Sequence, residues 1–95
     1  MFVVLLRFST NTSRAGELMK AHNEWIARGM NDGVFLVVGS VQPRAGGAIL
    51  AHNATRAELE LRLHQDPFVA NDVVSAELLE VTCSKADPRL GFLLA

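Results

Sequence analysis

The sequence of 95 residues contains a single cysteine, Cys83, so the chain cannot form a disulfide bond within itself. A lack of cysteine pairs is typical of proteins in reducing compartments, and the sequence therefore predicts a cytoplasmic protein. Nothing in the sequence around Cys83 indicates a catalytic nucleophile.

Long apolar runs and runs of like charge are also missing. The apolar start, MFVVLLRF, is interrupted at Arg7 and has no basic segment before it, so it is too short to cross a bilayer and unlike a signal peptide. The net charge is −1 and no basic stripe is present, which argues against a nucleic-acid partner. We therefore expect neither a membrane nor a nucleic acid among the partners.

Sequence patterns that hold metals or phosphate groups are absent as well. No HxxxH, CxxC or carboxylate cluster occurs, and His52 and His64 have no partner at ligand spacing. The two glycines of AGG, residues 45–47, stand before a strand and are typical of a turn. The sequence predicts neither a metal nor another cofactor.

The chain is rich in apolar residues for its size, with 49% hydrophobic and 20% charged residues. A small domain has much surface and little interior, so this composition indicates an apolar face that meets another subunit. We expect one domain over residues 1–95, with a C-terminal tail at 84–95, that associates as a homodimer or higher oligomer.

The apolar periodicity predicts four strands and two helices. The strands cover residues 2–8, 34–41, 48–52 and 73–83. The first helix begins after Thr12 or Ser13 and extends to about residue 30. The second begins at a capping box of Thr55 and Glu58 and is stopped by Pro67.

This β-α-β-β-α-β order predicts an α+β, ferredoxin-like fold with a four-stranded antiparallel sheet and both helices on one face. The first strand is apolar on both sides. We therefore expect the second sheet face to pack against a second copy of the chain.

His22 is the first residue that suggests chemistry. At helical spacing it shares an inward stripe with Leu18, Trp25, Ile26 and Gly29. One interpretation is a core histidine with a single satisfied hydrogen bond. The other is a general acid/base, because imidazole titrates near neutral pH.

Asp66 is the candidate partner, in the stretch QDPFV at the end of the second helix. It is either a turn residue held extended by Pro67 or the acceptor of a hydrogen bond from His22. The second interpretation is feasible because the two helices lie side by side on one sheet face in this topology.

Four further residues are candidates for substrate binding, and each has a plainer alternative. Arg7 either binds an anionic group with its fork of donors or is an ordinary interface or edge charge. Ser40 either faces a pocket or belongs to a turn. Trp25 and Phe68 either line an aromatic cleft or belong to the core.

Together these elements resemble the YCII-related family over about residues 1–83. The matching elements, in chain order, are His22 on a helix, the strand DGVFLVVGSV, the strand GGAIL and the motif Asp66-Pro67-Phe68. One departure is Ser40-Val41, where many relatives have a Gly-Pro pair at the pocket rim.

The resemblance implies a ferredoxin-like, dimeric α+β barrel with a pair of His22 and Asp66 in a cleft. Some relatives are similar to small catabolic enzymes, and one type removes chloride from a chlorinated hydroxyhydroquinone. The barrel is also similar to that of muconolactone isomerase.

Two classes of function follow. The first is a cofactor-free lyase, such as a dehydrochlorinase, or an isomerase that acts on a small aromatic or quinone-like molecule. In it His22 shuttles a proton, while Asp66 holds its tautomer and stabilises the imidazolium. The second is a non-catalytic small-molecule-binding or assembly module of the same dimeric fold. A pocket that reaches both side chains would favour the enzyme, and a pair that is packed shut would favour the module.

Overall fold

The computed structural model describes residues 1–94. The strands are β1 (Phe2–Phe8), β2 (Phe35–Val41), β3 (Gly46–Ala51) and β4 (Val74–Glu80). The helices are α1 (Ala15–Asn31), α2 (Arg56–His64) and α3 (Pro67–Ala70), with short 3₁₀ helices at Thr12–Arg14 and Pro88–Leu93. None of the helices in this part of the chain is both long and apolar enough to cross a membrane.

All four strands form one antiparallel sheet in the order β2-β3-β1-β4. The central strand β1 pairs with both β3 and β4, although β3 and β4 are separated in the chain by α2 and α3. This is the ferredoxin-like arrangement, and it confirms the predicted α+β fold class.

One face of the sheet is buried beneath the helices, and we call it the covered face. It carries alternate residues of β1, namely Phe2, Val4 and Leu6, which are at most 5% exposed. They share a single hydrophobic core with Trp25 of α1 and Leu59 of α2. Burial of this apolar surface is the main force that holds the helices on the sheet.

The opposite side, which we call the open face, carries the intervening residues of β1. Strand register places Leu79, Val3, Leu50 and Val37 in one row across all four strands. Leu79 and Val37 are 43% and 59% exposed. The first strand is therefore apolar on both sides as predicted, but its second side forms an apolar surface row.

The start of α2 follows its sequence signal. The hydroxyl of Thr55 accepts a hydrogen bond from the backbone N–H of Glu58 at 3.1 Å, and the Glu58 carboxylate accepts one from the backbone N–H of Thr55 at 2.8 Å. These two contacts confirm the capping box. The hydrogen bonds from the backbone and side chain of Thr55 lower the pKa of Glu58.

The start of α1 differs from the prediction that Thr12 or Ser13 caps it. A 3₁₀ turn at Thr12–Arg14 leads directly into the helix, and Arg14 stands at the capping position without a side-chain cap. The hydroxyl of Thr12 instead donates to the carbonyl oxygen of Ser9 at 2.7 Å. The side chain predicted to cap the helix is thus used to close the preceding turn.

The last strand ends at Glu80, three residues earlier than the predicted strand 73–83. Glu80 pairs with Phe2, which is the first residue of β1, so β4 has no further strand residue of β1 to pair with. Val81 and Met1 still exchange two backbone hydrogen bonds of 2.8 and 2.9 Å. Beyond them the chain leaves the sheet.

Candidate active site

A cavity of about 450 Å³ lies between α1 and the covered face of the sheet. Side chains from β1, α1, β2, β3, α3 and β4 line it, and most of them are apolar. The apolar walls include Leu6, Phe8, Met19, Ile26, Val38 and Ile49. A volume of this order suits a small organic molecule.

His22 stands in the wall of this cavity, in the middle of α1. Helical periodicity turns it inward as predicted, and the residue is 8% exposed. Its Nδ1 lies 2.7 Å from Oδ1 of Asp66, which is hydrogen-bond distance. Two residues separated by 44 positions in the sequence are therefore in direct contact.

Asp66 is fixed by the start of α3 and is completely buried. Its extended backbone makes it the N-cap of this helix, and Oδ1 also accepts the backbone N–H of Phe68 at 3.0 Å. Oδ2 has no hydrogen-bond partner within residues 1–94. The carboxylate is thus held by two donors at one oxygen and has little freedom to rotate.

The prediction that Pro67 stops the second helix was incomplete. The helix α2 ends at His64, and Pro67 is the first residue of α3. Proline suits this position because the first turn of a helix does not need its missing N–H, and its fixed φ is already helical. The Asp-Pro pair therefore starts a helix, and this start directs the Asp66 carboxylate to His22.

Two aromatic rings pack against the imidazole. The ring of Phe68 stacks on that of His22 with centroids 3.9 Å apart and planes 5° apart. Trp25 stacks more loosely, with centroids 5.9 Å apart and planes 26° apart. Indole Nε1 of Trp25 donates to the carbonyl oxygen of Arg62 at 2.9 Å. The imidazole plane is fixed by packing as well as by its hydrogen bond.

This geometry determines which nitrogen of His22 is available. A carboxylate accepts hydrogen bonds but cannot donate them, so Nδ1 carries the proton. Nε2 has no hydrogen-bond partner within residues 1–94, and the side chain lines the cavity. Nε2 is thus the nitrogen that is free to accept a proton from a bound molecule.

A family model for the YCII-related domain matches residues 1–82. The chain belongs to the YCII-related family. Its fold is similar to that of 5-chloro-2-hydroxyhydroquinone dehydrochlorinase (TftG) from Burkholderia phenoliruptrix AC1100, whose structure is a complex with 2,5-dihydroxybenzoquinone. The TM-score is 0.69 and the identity 12%, over 86% of this chain and 94% of that chain. At this identity the likeness shows a shared fold. No curated protein matches the chain in sequence at a significant level.

The cavity of this YCII-related chain includes only some of the predicted site residues. His22, Ser40 and Phe68 line it. Asp66 does not, because it lies behind the imidazole with none of its surface exposed. The pocket therefore reaches one member of the pair and not both.

Two predicted substrate-binding residues lie elsewhere. Arg7 is on the open face, where its guanidinium donates to Glu77 at 3.3 Å, because alternate residues of β1 point to opposite sides. Trp25 is 1% exposed and is not part of the cavity wall. The structure thus places Arg7 on the opposite side of the sheet from this cavity and Trp25 in the hydrophobic core.

Sequence reasoning missed Asn23, which lines the cavity beside His22. Its side chain makes no hydrogen bond to the protein within residues 1–94. The signal was its spacing from Met19 and Ile26, a second stripe at i, i+4 and i+7 along α1. Asn23, Ser40 and His22 are the polar side chains of a cavity that is otherwise apolar.

Metal-ligating residues are not grouped in the described part of the chain. Within residues 1–94, no three His, Cys, Asp or Glu side chains come close enough together to hold a metal ion. The chemistry that this site can offer from its own side chains is proton transfer and hydrogen bonding.

Proposed function

We propose that this YCII-related protein is an enzyme that transfers protons on a small aromatic or quinone-like substrate without a bound cofactor. The observation that carries the proposal is the 2.7 Å hydrogen bond from His22 to the buried Asp66, at the wall of a cavity large enough for a substituted ring. Burial, a fixed tautomer and a free nitrogen are the features that an acid/base histidine needs.

In this mechanism Nε2 of His22 removes a proton from a hydroxyl group of the bound ring. Asp66 is a positioning residue, since it touches the imidazole and not the substrate. Its carboxylate keeps the proton on Nδ1 and balances the positive charge that the imidazole gains. Phe68, stacked at 3.9 Å, keeps the ring plane of His22 directed into the cavity.

Elimination of hydrogen chloride from a chlorinated hydroxyhydroquinone is the specific reaction we propose. His22 accepts a hydroxyl proton and returns it to the ring carbon that bears chlorine, which produces a keto tautomer. Chloride then leaves with the electron pair of the carbon–chlorine bond, while a second hydroxyl group loses its proton and becomes a carbonyl group. One HCl is released in total, and the product is a hydroxyquinone. The fold shared with TftG, which is a dehydrochlorinase, supports the choice.

The second candidate is a small-molecule-binding or assembly module of the same fold, and one observation favours self-association. The row of Leu79, Val3, Leu50 and Val37 forms an apolar band across the open face. We propose that a second copy of the chain packs on this band and forms the dimeric α+β barrel. A cytoplasmic location stays a prediction that rests on the single cysteine.

The enzyme proposal is tested by His22→Gln, with His64→Gln as the matched control. His64 is exposed on α2 and is not part of the cavity wall. Chloride release from a chlorinated hydroxyhydroquinone is measured for both variants and the wild type, and circular dichroism checks the fold. We expect His22→Gln to lower kcat by about 10²- to 10⁴-fold, the usual contribution of a general acid/base.

His64→Gln should retain wild-type turnover. A folded His22→Gln protein with undiminished turnover would refute the acid/base role. Turnover in neither the wild type nor the control, together with wild-type dimerisation, would support the assembly module.

A further inference from the structure

A second cavity of about 430 Å³ adjoins the first at the β2–β3 hairpin. The two cavities share three lining residues, Phe8, Ser40 and Gly46. The second is completed by Gln42 and Arg44. Together they form one cleft that is mostly apolar and carries the polar side chains of Gln42 and Arg44 at its hairpin end.

Charge is distributed unevenly along this cleft. Arg44 is the single Lys, Arg, Asp or Glu residue among the described side chains that line either cavity. Other arginines of the chain, such as Arg7 and Arg62, are paired with carboxylates. Arg44 forms no such pair within residues 1–94. The hairpin end of the cleft therefore offers a cation without a competing anion.

The backbone at Arg44 is unusual for a residue with a side chain. Its φ of 49° lies in the left-handed region, which favours glycine or asparagine. Two residues later the chain does use glycine, since a Cβ at Gly46 would stand 1.9 Å from the carbonyl oxygen of Leu6. Unfavourable backbone conformations are often retained where a side chain has a function.

The position of the hairpin is fixed by backbone contacts on both sides of Arg44. The N–H of Ala45 donates to the carbonyl oxygen of Val41 at 3.0 Å, and the N–H of Phe8 donates to the carbonyl oxygen of Ala45 at 3.4 Å. Arg44 is thus carried next to β1 and the cavity mouth, and its backbone is held there before any ligand arrives.

We propose that Arg44 forms an anion subsite, and that the cleft binds small ring acids whose ring lies beside His22 and whose carboxylate reaches Arg44. A guanidinium matches a carboxylate because its planar fork can donate two parallel hydrogen bonds. The inference rests on the proposed function for the use of the His22 cavity by the ring, but it concerns binding and needs no turnover.

A length series of acids tests the subsite. Benzoate, phenylacetate, 3-phenylpropionate and 4-phenylbutyrate, each with its uncharged primary amide, are titrated into the full chain by NMR. We expect at least one acid to bind roughly three- to tenfold more tightly than its amide, as for a single partly exposed charged contact. The same acid should shift resonances of both Phe68 and Arg44.

Arg44→Gln should remove this preference for the acid and leave the affinity for the amide unchanged. Arg28→Gln is the matched control, because Arg28 is exposed near the C-terminal end of α1 and lines neither cavity. Its acid preference should equal that of the wild type. An equal loss in both variants would reflect net charge alone and would overturn the proposal.

The proposal is also overturned if no acid binds more tightly than its amide, or if Arg44→Gln keeps the preference. These outcomes are independent of the turnover test. An Arg44-dependent preference in a protein whose turnover does not need His22 would establish the subsite and refute the acid/base mechanism. A loss of turnover in His22→Gln without any preference for the acid would support the acid/base mechanism and refute the subsite.

Discussion

Each side of the sheet carries a polar pair that joins distant parts of the chain, and the two pairs differ in distance and in burial. On the covered side, His22 and Asp66 are 2.7 Å apart with side chains 11% and 0% exposed. On the open face, Arg7 and Glu77 are 3.3 Å apart with side chains 57% and 51% exposed.

A polar residue on an apolar strand or helix can be either a site residue or an ordinary surface charge. The difference between the pairs shows that burial separates these two interpretations, and that the presence of a charge does not. Water competes for Arg7 and Glu77 and screens their attraction, so the pair contributes little. Water is excluded around Asp66, so no water competes for the two hydrogen bonds at its Oδ1. Of the two, only the covered pair has an environment suited to acid/base chemistry.

The largest expected effect comes from breaking the covered pair with Asp66→Ala. The variant removes the acceptor for Nδ1 of His22 and the cap for the backbone N–H of Phe68. We expect the free energy of unfolding to fall by about 2–4 kcal/mol, because a buried donor loses its acceptor and a helix loses its cap. Urea unfolding followed by circular dichroism measures it.

Asp66→Asn separates capping from charge, because asparagine is also a good N-cap. It should destabilise the protein less than Asp66→Ala does. A loss below about 1 kcal/mol for Asp66→Ala would place the covered pair in the same class as a surface ion pair and remove the contrast.

Part of this site could be predicted from the sequence because its signals are periodic or local. Helical spacing predicted that His22 points inward, and the predicted topology placed α1 beside the end of α2. Arg7 was harder to assign because a strand with two apolar sides does not indicate which side the helices cover. Trp25 was left between two interpretations for a related reason, since periodicity shows that a side chain points inward but not whether it meets a cavity or fills the core.

The course of the chain at Asp66 was also only partly predictable. Proline both ends helices and begins them, and the choice depends on whether the following residues can pack. Phe68 favours a new helix here, because its ring is buried against His22 from within α3. That contact lies between residues far apart in sequence, so no local pattern contains it.

The next prediction tests how closely the covered face is packed. A Cβ at Gly29 would lie 2.2 Å from the ring of Phe35, which is 2% exposed. Gly29→Ala should therefore lower the free energy of unfolding by about 1–3 kcal/mol through overpacking, despite the better helix propensity of alanine. Chemical denaturation measures the change.

Gly16→Ala is the matched control on the same helix, since a Cβ there meets nothing within 4 Å. This variant should be neutral or stabilising by up to about 1 kcal/mol. If both variants stabilise the protein equally, α1 is not held as close to β2 as the geometry indicates.

The open face is tested by Val37→Lys, which puts a charge into the apolar row. If a second copy packs on this row, the dissociation constant of the dimer should rise at least about tenfold, since a buried unpaired charge is unfavourable. Sedimentation equilibrium measures it. Leu61→Lys is the control, because Leu61 is 64% exposed on α2, away from the sheet. Equal effects of the two substitutions would contradict a dimer through the open face.

The smallest expected effect comes from the exposed pair itself. Arg7→Gln and Glu77→Gln should each change the free energy of unfolding by less than about 1 kcal/mol, and the double variant should reveal a coupling energy of about 0.2–1 kcal/mol at low salt. The coupling should fall further at high ionic strength, because salt screens charges that water can reach. If Arg7→Gln instead destabilises the protein as strongly as Asp66→Ala, then Arg7 is buried in the assembled state. In that event the open face would be buried against a second copy of the chain, and the stability of the fold would depend on the dimer.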